Sequence, residues 1–234
     1  MSMRSPIQFK LPIQSWCVWH AGDPLDISFV DAGLRRRLSP LAKMFLHAAH
    51  TAAKSAADTN QPTRVVYASQ HGDLAHTSSM LLDLAKQEPL SPTSFNMAVH
   101  NANPGIWSIL RQDTSTNTAI CADEATLGWG MLEASMQWQT DKRTPVLFVY
   151  ADEPVPALFD SSNHAAEPAM ALALLIVGEE DGGGGKVKLD MTVAPSGHPL
   201  AEYATSFPHV LAQQLRTGGQ WQGVSHLWSW QCTV

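Results

Sequence analysis

The chain has 234 residues, of which 44% are apolar and 15% charged, and its formal net charge is −6. This length is typical of one folded domain, so we expect residues 1–234 to form a single domain. The acidic balance, without a basic tract that would give nucleic acid an electrostatic footprint, argues against binding of DNA or RNA. The low charged fraction indicates that part of the surface contacts another protein.

The cysteines and histidines do not form a recognisable metal or disulfide pattern. Cys17, Cys121 and Cys232 are odd in number and far apart, which is typical of a protein from a reducing compartment. His47 and His50 lie three positions apart on a predicted helix, but no third ligand accompanies them at a recognised spacing. We therefore predict no metal and no cofactor.

Neither end of the chain nor its interior suggests a membrane location. The N-terminus lacks the apolar core of a signal peptide, and no stretch approaches the roughly 20 apolar residues of a membrane span. The expectation is a cytoplasmic protein without a membrane span.

Strands and helices alternate through the first 150 residues. Aromatic and β-branched runs predict the strands, and apolar residues at helical spacing predict the helices, the first of them behind a Ser39 cap. The predicted strands are residues 12–20, 64–69, 116–121 and 144–151, and the predicted helices are about 40–57, 74–87, 104–112 and 125–139. The helix at 104–112 has almost no polar side, so we expect it to be buried. This alternation predicts an α/β layered sheet.

The last third of the chain has a different pattern. Residues 170–178 predict a buried strand and residues 187–193 a half-exposed one, with four consecutive glycines between them that suggest a hairpin tip. The glycines do not predict a phosphate-binding loop, because such a loop joins a strand to a helix. A helix over about 199–216 and a closing, tryptophan-rich strand follow.

Two residues are candidates for catalysis. Cys121 follows a predicted strand and precedes a predicted helix, where backbone N–H groups can lower the pKa of a thiol. His100 lies beside Asn101 in an irregular segment, where it can act as a base or satisfy buried backbone groups. Together they would serve an active acyl transferase or condensing enzyme, with Cys121 as nucleophile. A buried structural cysteine and a stand-alone small-molecule binding module are the competing interpretations.

A Ser-Pro pair at Ser91 is followed by TSFNMAVHNANPGIWSIL and then by TNTAICADEATLG. This order of motifs resembles the N-terminal half of a β-ketoacyl synthase of the thiolase-like fold. In that family an asparagine follows the serine by ten residues and a glycine then opens a buried helix, as Asn101 and Gly105 do here. The resemblance implies an α/β, thiolase-like layered fold in which residues 1–151 are the recognisable half and residues 152–234 are a truncated, divergent part.

The chain departs from this family at the positions of the catalytic residues. Ketosynthases carry a nucleophilic cysteine after Thr-Ala, eight residues before a helical glycine, and counting back from Gly128 places Ile120 there instead of Cys121. A shift of one residue on a strand would point the side chain to the opposite face. The family also uses two histidines in His-Gly-Thr-Gly-Thr and Gly-His contexts. Neither context surrounds the histidines that follow Ala151, which are His164, His198, His209 and His226.

The resemblance therefore implies a chain-length factor, a ketosynthase-like subunit without catalytic residues and without condensing activity by itself. Such a subunit forms a heterodimer with a full-length ketosynthase in a β-ketoacyl-ACP synthase complex, and its side chains limit the growing acyl chain. The implied setting is a type II polyketide or fatty-acid-like pathway, aryl polyene synthesis among them. The acyl chain, bound to an acyl carrier protein, reaches this subunit through the partner.

The same resemblance implies which residues line the acyl tunnel and the interface. Phe95, Met97 and His100 are the candidate tunnel walls, with Asn101 and Gly105 beside them. Phe95 and Met97 have the same parity, so in an extended segment they would project to one face.

Overall fold

The computed structural model describes residues 7–54, 61–159, 167–178, 187–193, 207–225 and 228–233. The strands are β1 (Gln8–His20), β2 (Arg64–Ala68), β3 (Asn117–Ile120), β4 (Val146–Asp152), β5 (Met170–Ile176), β6 (Val187–Val193), β7 (Gln220–Ser225) and β8 (Trp228–Thr233). The helices are α1 (Ala32–Arg35), α2 (Pro40–Lys54), α3 (Leu74–Ala85), α4 (Pro92–Ala98), α5 (Ala102–Arg111), α6 (Thr126–Thr140) and α7 (Phe207–Thr217).

The described strands form one mixed sheet in the order β3-β2-β4-β5-β1-β6-β8-β7. The first three strands in this order are parallel, and each later neighbour pairs antiparallel. Every residue of β5 and all but the last of β4 are buried, which explains why both strands read as nearly continuous apolar runs. The α/β layered architecture predicted from the sequence is confirmed.

Helices cover both faces of the sheet. Helices α2 and α5 pack on one face, through residues such as Phe45 and Trp107. Helices α6 and α7 pack on the other, through residues such as Met131 and Leu211. The two hydrophobic cores lie on opposite sides of β2, β4 and β5, because alternate residues of each strand point to opposite faces.

One half-buried cation, Arg64, links the sheet to the helical layer that contains α6. The guanidinium of Arg64, at the start of β2, donates to the backbone carbonyls of Gln137, Asp141 and Thr144, at and beyond the C-terminal end of α6. These carbonyls have no partner further along the helix, and a positive charge at this end is favoured by the helix dipole. Arg64 therefore fixes how α6 lies across the sheet.

The predicted hairpin between residues 170–178 and 187–193 is wrong. β5 and β6 do not pair with each other, because β1 lies between them. Ile13 of β1 pairs with Ile176 on one side and with Val187 on the other. The four glycines between the two strands lie outside the described residues. Local patterns identified both strands correctly, but the choice of neighbour depends on a strand from the other end of the chain.

Two further predictions need correction. The C-terminal stretch forms two paired strands, β7 and β8, instead of one closing strand. Helix α5 buries Ile106 and Trp107, but the side chain of Ile109 is 76% exposed, so the expectation of a wholly buried helix is wrong.

The helix predicted over 199–216 is described from Phe207 onward, and its first part lies outside the described residues. Among the described residues, no helix combines the length and the apolar character needed to cross a membrane.

A close approach between α6 and the sheet gives a test of this packing. A Cβ on Gly130 would lie 2.8 Å from Cβ of Ala68 and 2.8 Å from Cε2 of Phe148. We expect Gly130→Ala to lower the free energy of unfolding by about 1 to 3 kcal/mol, because buried rings and strands yield little space. Gly105→Ala is the matched control, since nothing lies within 4 Å of its Cβ position. That change should stabilise α5 by about 0.5 to 1 kcal/mol. Urea unfolding measures both, and equal effects would contradict the packing.

Candidate functional site

The carboxyl ends of the three parallel strands meet at one edge of the sheet. Ser69 directly follows β2, Cys121 directly follows β3, and Asp152 ends β4. In open α/β sheets this edge is the usual place for a ligand, because the loops there converge. These residues define the candidate site.

The carboxylate of Asp152 organises the loop that follows β2. Its Oδ1 accepts the hydroxyl of Ser69 at 2.7 Å and the backbone N–H of His71 at 3.1 Å, while Oδ2 accepts the N–H of Gln70 at 2.9 Å. The Oγ of Ser69 in turn accepts the N–H of Gly72 at 2.8 Å. Gly72 has φ of 58°, and a Cβ there would lie 3.1 Å from the His100 ring, so the turn requires glycine. A single carboxylate thus fixes four consecutive residues.

His100 binds this loop from the α5 side. Its Nε2 lies 3.1 Å from the carbonyl oxygen of Ser69, and its ring lies 5.3 Å from the ring of Tyr67. A carbonyl only accepts hydrogen bonds, so Nε2 carries a proton and is not available as a base. Asn103 donates to the Tyr67 hydroxyl at 3.4 Å, and burial raises the pKa of Tyr67, which keeps that hydroxyl neutral.

The thiol of Cys121 is exposed and donates to the carbonyl of Gln70 at 3.1 Å. Ala119 packs toward α2 and α5, so strand alternation places Cys121 on the same side as His100. The two side chains bind neighbouring carbonyls, but they form no hydrogen bond with each other in the described structure. Cys121 also lies five positions before α6, instead of directly at its first turn.

Ile120 points to the other face. It is half-buried and packs against the core beneath α6, while its carbonyl accepts the N–H of Ser69 at 3.2 Å. Thr118, two positions earlier, receives a 2.9 Å hydrogen bond from Gln137 of α6. The turn into α6 contains Asp123 with φ of 51°, a left-handed conformation that is uncommon for residues other than glycine.

Phe95 and Met97 lie on helix α4, so the expectation that they share a face in an extended segment is wrong. Ser91 caps this helix by accepting the N–H of Ser94 at 3.3 Å, and Pro92 takes its first position. Two positions on a helix are about 200° apart. Accordingly Phe95 is 59% exposed, whereas Met97 packs against the core beside α2 and α5.

The remaining predicted residues lie at the start of α5. Asn101 is exposed, and its carbonyl accepts the N–H of Gly105 at 3.2 Å. Its side chain makes no cap hydrogen bond. Nothing in the described structure lies within 4 Å of the Cβ position of Gly105, so packing inside the chain does not require this glycine.

The histidines considered above as metal ligands do not converge on a metal site in the described structure. His47 Nδ1 contacts the backbone of Asp26, and His50 stacks on Phe29 with ring centres 3.9 Å apart. Nowhere in the described ranges do three His, Cys, Asp or Glu side chains converge to hold a metal. Of the histidines after Ala151, His209 is described, with Nε2 3.5 Å from the carboxylate of Glu167.

The sequence analysis missed two acidic residues at this edge. Asp152 ends the buried strand β4 and Glu153 directly follows it, so an acidic pair at the end of an apolar run was the signal available. The Glu153 carboxyl is half-buried, and its Oε2 has no hydrogen-bond partner in the described structure. Burial, and then the nearby Asp73 carboxylate, raise the pKa of Glu153 to about 6.

This raised pKa predicts a pH-dependent stability. The fold favours protonated Glu153, so its contribution is fully present below pH 4.5 and is lost as the pH rises through about 6. Glu153→Gln should therefore raise the free energy of unfolding at pH 8, by about 1 kcal/mol after allowance for solvent screening. The gain should vanish near pH 4.5. Glu88→Gln, which removes an exposed carboxylate, is the control and should show no such pH dependence. Urea unfolding at several pH values measures the difference, and a gain that is independent of pH would contradict the assignment.

Solved structures with the same fold belong to ketosynthase systems. One is a ketosynthase (ApeO) in complex with its chain length factor (ApeC) from Xenorhabdus doucetiae, with 20% identity, a TM-score of 0.74, and coverage of 96% of this chain and 99% of that chain. The ishigamide ketosynthase/chain length factor matches at 15% identity and a TM-score of 0.60, over 79% of this chain and 67% of that chain. A type II polyketide ketosynthase bound to a hexaketide and to its acyl-carrier protein (AntDE:AntF) matches at 11% identity and a TM-score of 0.58, over 81% and 71%.

These likenesses confirm the thiolase-like, ketosynthase fold that the sequence motifs predicted. Comparison with curated protein sequences finds no match. The family model of the β-ketoacyl synthase N-terminal domain matches residues 12–231, which is nearly the whole chain. The chain therefore belongs to the family of β-ketoacyl synthase N-terminal domains.

Proposed function

We propose that this chain is a cytoplasmic, non-catalytic chain-length factor that pairs with an active, full-length ketosynthase and shapes its acyl tunnel. The pathway would be of the type II polyketide or fatty-acid-like kind, such as aryl polyene synthesis. The acyl chain would arrive on an acyl carrier protein and grow on the partner's cysteine.

The observation that carries this proposal is the side chain at position 120. Where the family motif has its nucleophilic cysteine, this chain has Ile120, a hydrocarbon that packs beneath α6. A hydrocarbon cannot form the acyl thioester on which condensation depends. The chain's role in condensation must then be exerted through another subunit.

Apolar surface on three consecutive helices supports such a partnership. Seven of the eleven large apolar side chains exposed in the described ranges lie between residues 81 and 109. They form what we call the pairing surface, which consists of Leu81, Leu82, Leu84, Leu90, Phe95, Val99 and Ile109. Helix α3 buries only Ser78, so its leucine stripe has no apolar cover among the described residues. Exposed apolar clusters of this kind are typical of protein interfaces.

The size of the chain is also consistent with this role. It matches a chain of nearly its own length in the ApeO–ApeC complex, because the two coverages are almost equal. By contrast, it spans about two thirds of the ishigamide and AntDE:AntF chains.

Among the three predicted tunnel residues, we propose Phe95 as the one that meets the partner's cavity. Phe95 is exposed at the pairing surface, whereas Met97 packs into this chain's own core. His100 is held by the carbonyl of Ser69. A large rigid ring at an interface can close the end of an apolar tunnel.

An active enzyme that uses Cys121 is the alternative. The exposed thiol and its position on the same side as His100 favour it. Against it, the thiol donates to Gln70 and Nε2 of His100 is occupied by Ser69, so the pair that nucleophilic catalysis needs is not formed.

The partnership is testable by co-expression with a full-length ketosynthase from the same organism. We expect a stable heterodimer in size-exclusion chromatography, with an interface of the obligate class above about 2,000 Å². Ile109→Lys, which replaces an apolar side chain of the pairing surface that is 76% exposed on α5, should weaken pairing by about tenfold or more. Met136→Lys changes an exposed methionine of α6, on the opposite face of the sheet, and should pair normally. A monodisperse monomer with no affinity for the ketosynthase would reject the proposal.

The proposed role of Phe95 in limiting the length of the acyl chain is testable in the reconstituted complex. Phe95→Ala should shift the products toward longer chains, because it removes the ring at the tunnel end, and mass spectrometry of the products measures the shift. Met97→Ala, on the other side of α4, is the matched control and should leave chain length unchanged. If Phe95→Ala also leaves the chain length unchanged, Phe95 does not limit the acyl chain. Cys121→Ala should preserve turnover, and loss of turnover would favour the active enzyme.

A further inference from the structure

Polar contacts attach helix α7 to the rest of the chain near both of its ends. Near its start, Nε2 of His209 lies 3.5 Å from the carboxylate of Glu167, which precedes β5. Near its end, Arg216 forms an ion pair with Asp23 and donates to the carbonyl of Val18 at 3.2 Å. Between these contacts the helix buries an apolar row, which consists of Leu211, Ala212 and Leu215. The end of β1 and the segment before β5 therefore hold this helix in place.

Two histidine rings stack where α7 meets the end of β1. His20 is the last residue of β1, and its ring centre lies 5.7 Å from that of His209, with an angle of 22° between the ring planes. The side chain of His209 is 11% exposed, and His20 is half-buried. A stack at this distance is favourable while at least one ring is neutral. Two charged rings would repel each other, and partial burial leaves less solvent to screen that repulsion.

The surroundings of His209 accommodate a positive charge. The Glu167 carboxylate faces its ring and forms an ion pair with it when the ring is protonated. Glu167 also interacts with Tyr150 of β4, but burial raises the pKa of Tyr150, so its hydroxyl stays neutral and does not compete as a charge.

The surroundings of His20 oppose a positive charge. The Asp23 carboxylate, in the turn after β1, is already engaged, because it accepts the backbone N–H of His20 at 2.8 Å and pairs with Arg216. Burial, followed by the charges of Arg216 and His209, lowers the pKa of His20. Of the two stacked rings, His20 is therefore the one whose protonation opposes the docked position of α7.

We propose that His20 and His209 form a pH-sensitive switch, which holds helix α7 on the sheet while His20 is neutral and loosens it when both rings are charged. The switch is independent of the proposed pairing, because α7 and the helix α5 of the pairing surface pack on opposite faces of the sheet. The docked helix favours neutral His20. This contribution to docking is fully present above pH 6.5 and is lost as the pH falls through the lower pKa of His20 in the docked state.

Amide hydrogen exchange of the full chain, followed by mass spectrometry and corrected for intrinsic exchange rates, measures the opening of α7. Between about pH 7.5 and about pH 5, we expect the protection of peptides from residues 207–217 to fall by about threefold or more. The protection of α2, which packs on the other face of the sheet, should stay constant.

Three variants separate the switch from a general effect of acid. His20→Phe keeps a ring that can stack but cannot be charged, so the protection of α7 should become independent of pH. His209→Gln removes one of the two charges and should reduce the loss, which keeps a test in hand if His20→Phe does not fold. His50→Gln is the matched control, because His50 is also half-buried and also stacks on an aromatic ring, that of Phe29. It should keep the wild-type pH dependence, and circular dichroism verifies that each variant is folded.

NMR titration of the histidine rings gives a second readout, with the His20 signals assigned by their loss in His20→Phe. The His20 ring should titrate below pH 6.5 in the wild type and closer to 6.5 in His209→Gln. The inference is overturned if His20 titrates at or above pH 6.5, or if α7 keeps its protection at acid pH in the wild type. It is also overturned if His20→Phe or His209→Gln loses as much protection as the wild type, or if α2 loses as much as α7, since that would indicate global unfolding.

Discussion

The carboxylate of Asp152 is the interaction on which the geometry of this edge depends. By accepting hydrogen bonds from Ser69, Gln70 and His71, it holds the end of β2 against the end of β4. The carbonyls of Ser69 and Gln70 are thereby aimed at His100 and Cys121. Both polar side chains of the candidate site are positioned by backbone groups of one short loop. The loop itself would lose several charge-assisted hydrogen bonds if this carboxylate were absent.

The apolar faces of the central strands are covered within the chain, whereas those of two helices are not. The central strands are covered on both faces, by α2 and α5 on one side and by α6 and α7 on the other. Helices α3 and α4 have no such cover among the described residues, and Leu84 and Phe95 are more than half exposed. Each large apolar side chain left in water forgoes about 1.5 to 3 kcal/mol of burial. A partner that covers these helices would recover much of this, which links the apolar surface to the proposed pairing.

The sequence predicted the elements well and their spatial relations less well. Apolar runs identified β4 and β5 because strands that are buried on both faces contain few polar residues. The neighbours of β6 could not be predicted, since β1 enters between it and β5 from the far end of the chain. Ser91 caps α4 in the structure, whereas the motif around it predicts an extended segment, because the same Ser-Pro pair fits both a helix start and the family pattern. The role of Asp152 was invisible because two of its partners are backbone N–H groups and the third, the hydroxyl of Ser69, lies 83 positions away in the sequence.

The two candidate nucleophile positions differ in the face of β3 that they occupy. Thr118 and Ile120 face α6, while Ala119, and Cys121 by alternation, face α5 and His100. The side chain at position 120 is half-buried against the core beneath α6, and as a hydrocarbon it cannot form a thioester. The thiol at position 121 is accessible and donates a hydrogen bond to the carbonyl of Gln70. Position 120 therefore carries no thiol, and the thiol at position 121 forms no hydrogen bond with His100 in the described structure, so neither position shows the paired nucleophile and base that an acyl-enzyme requires.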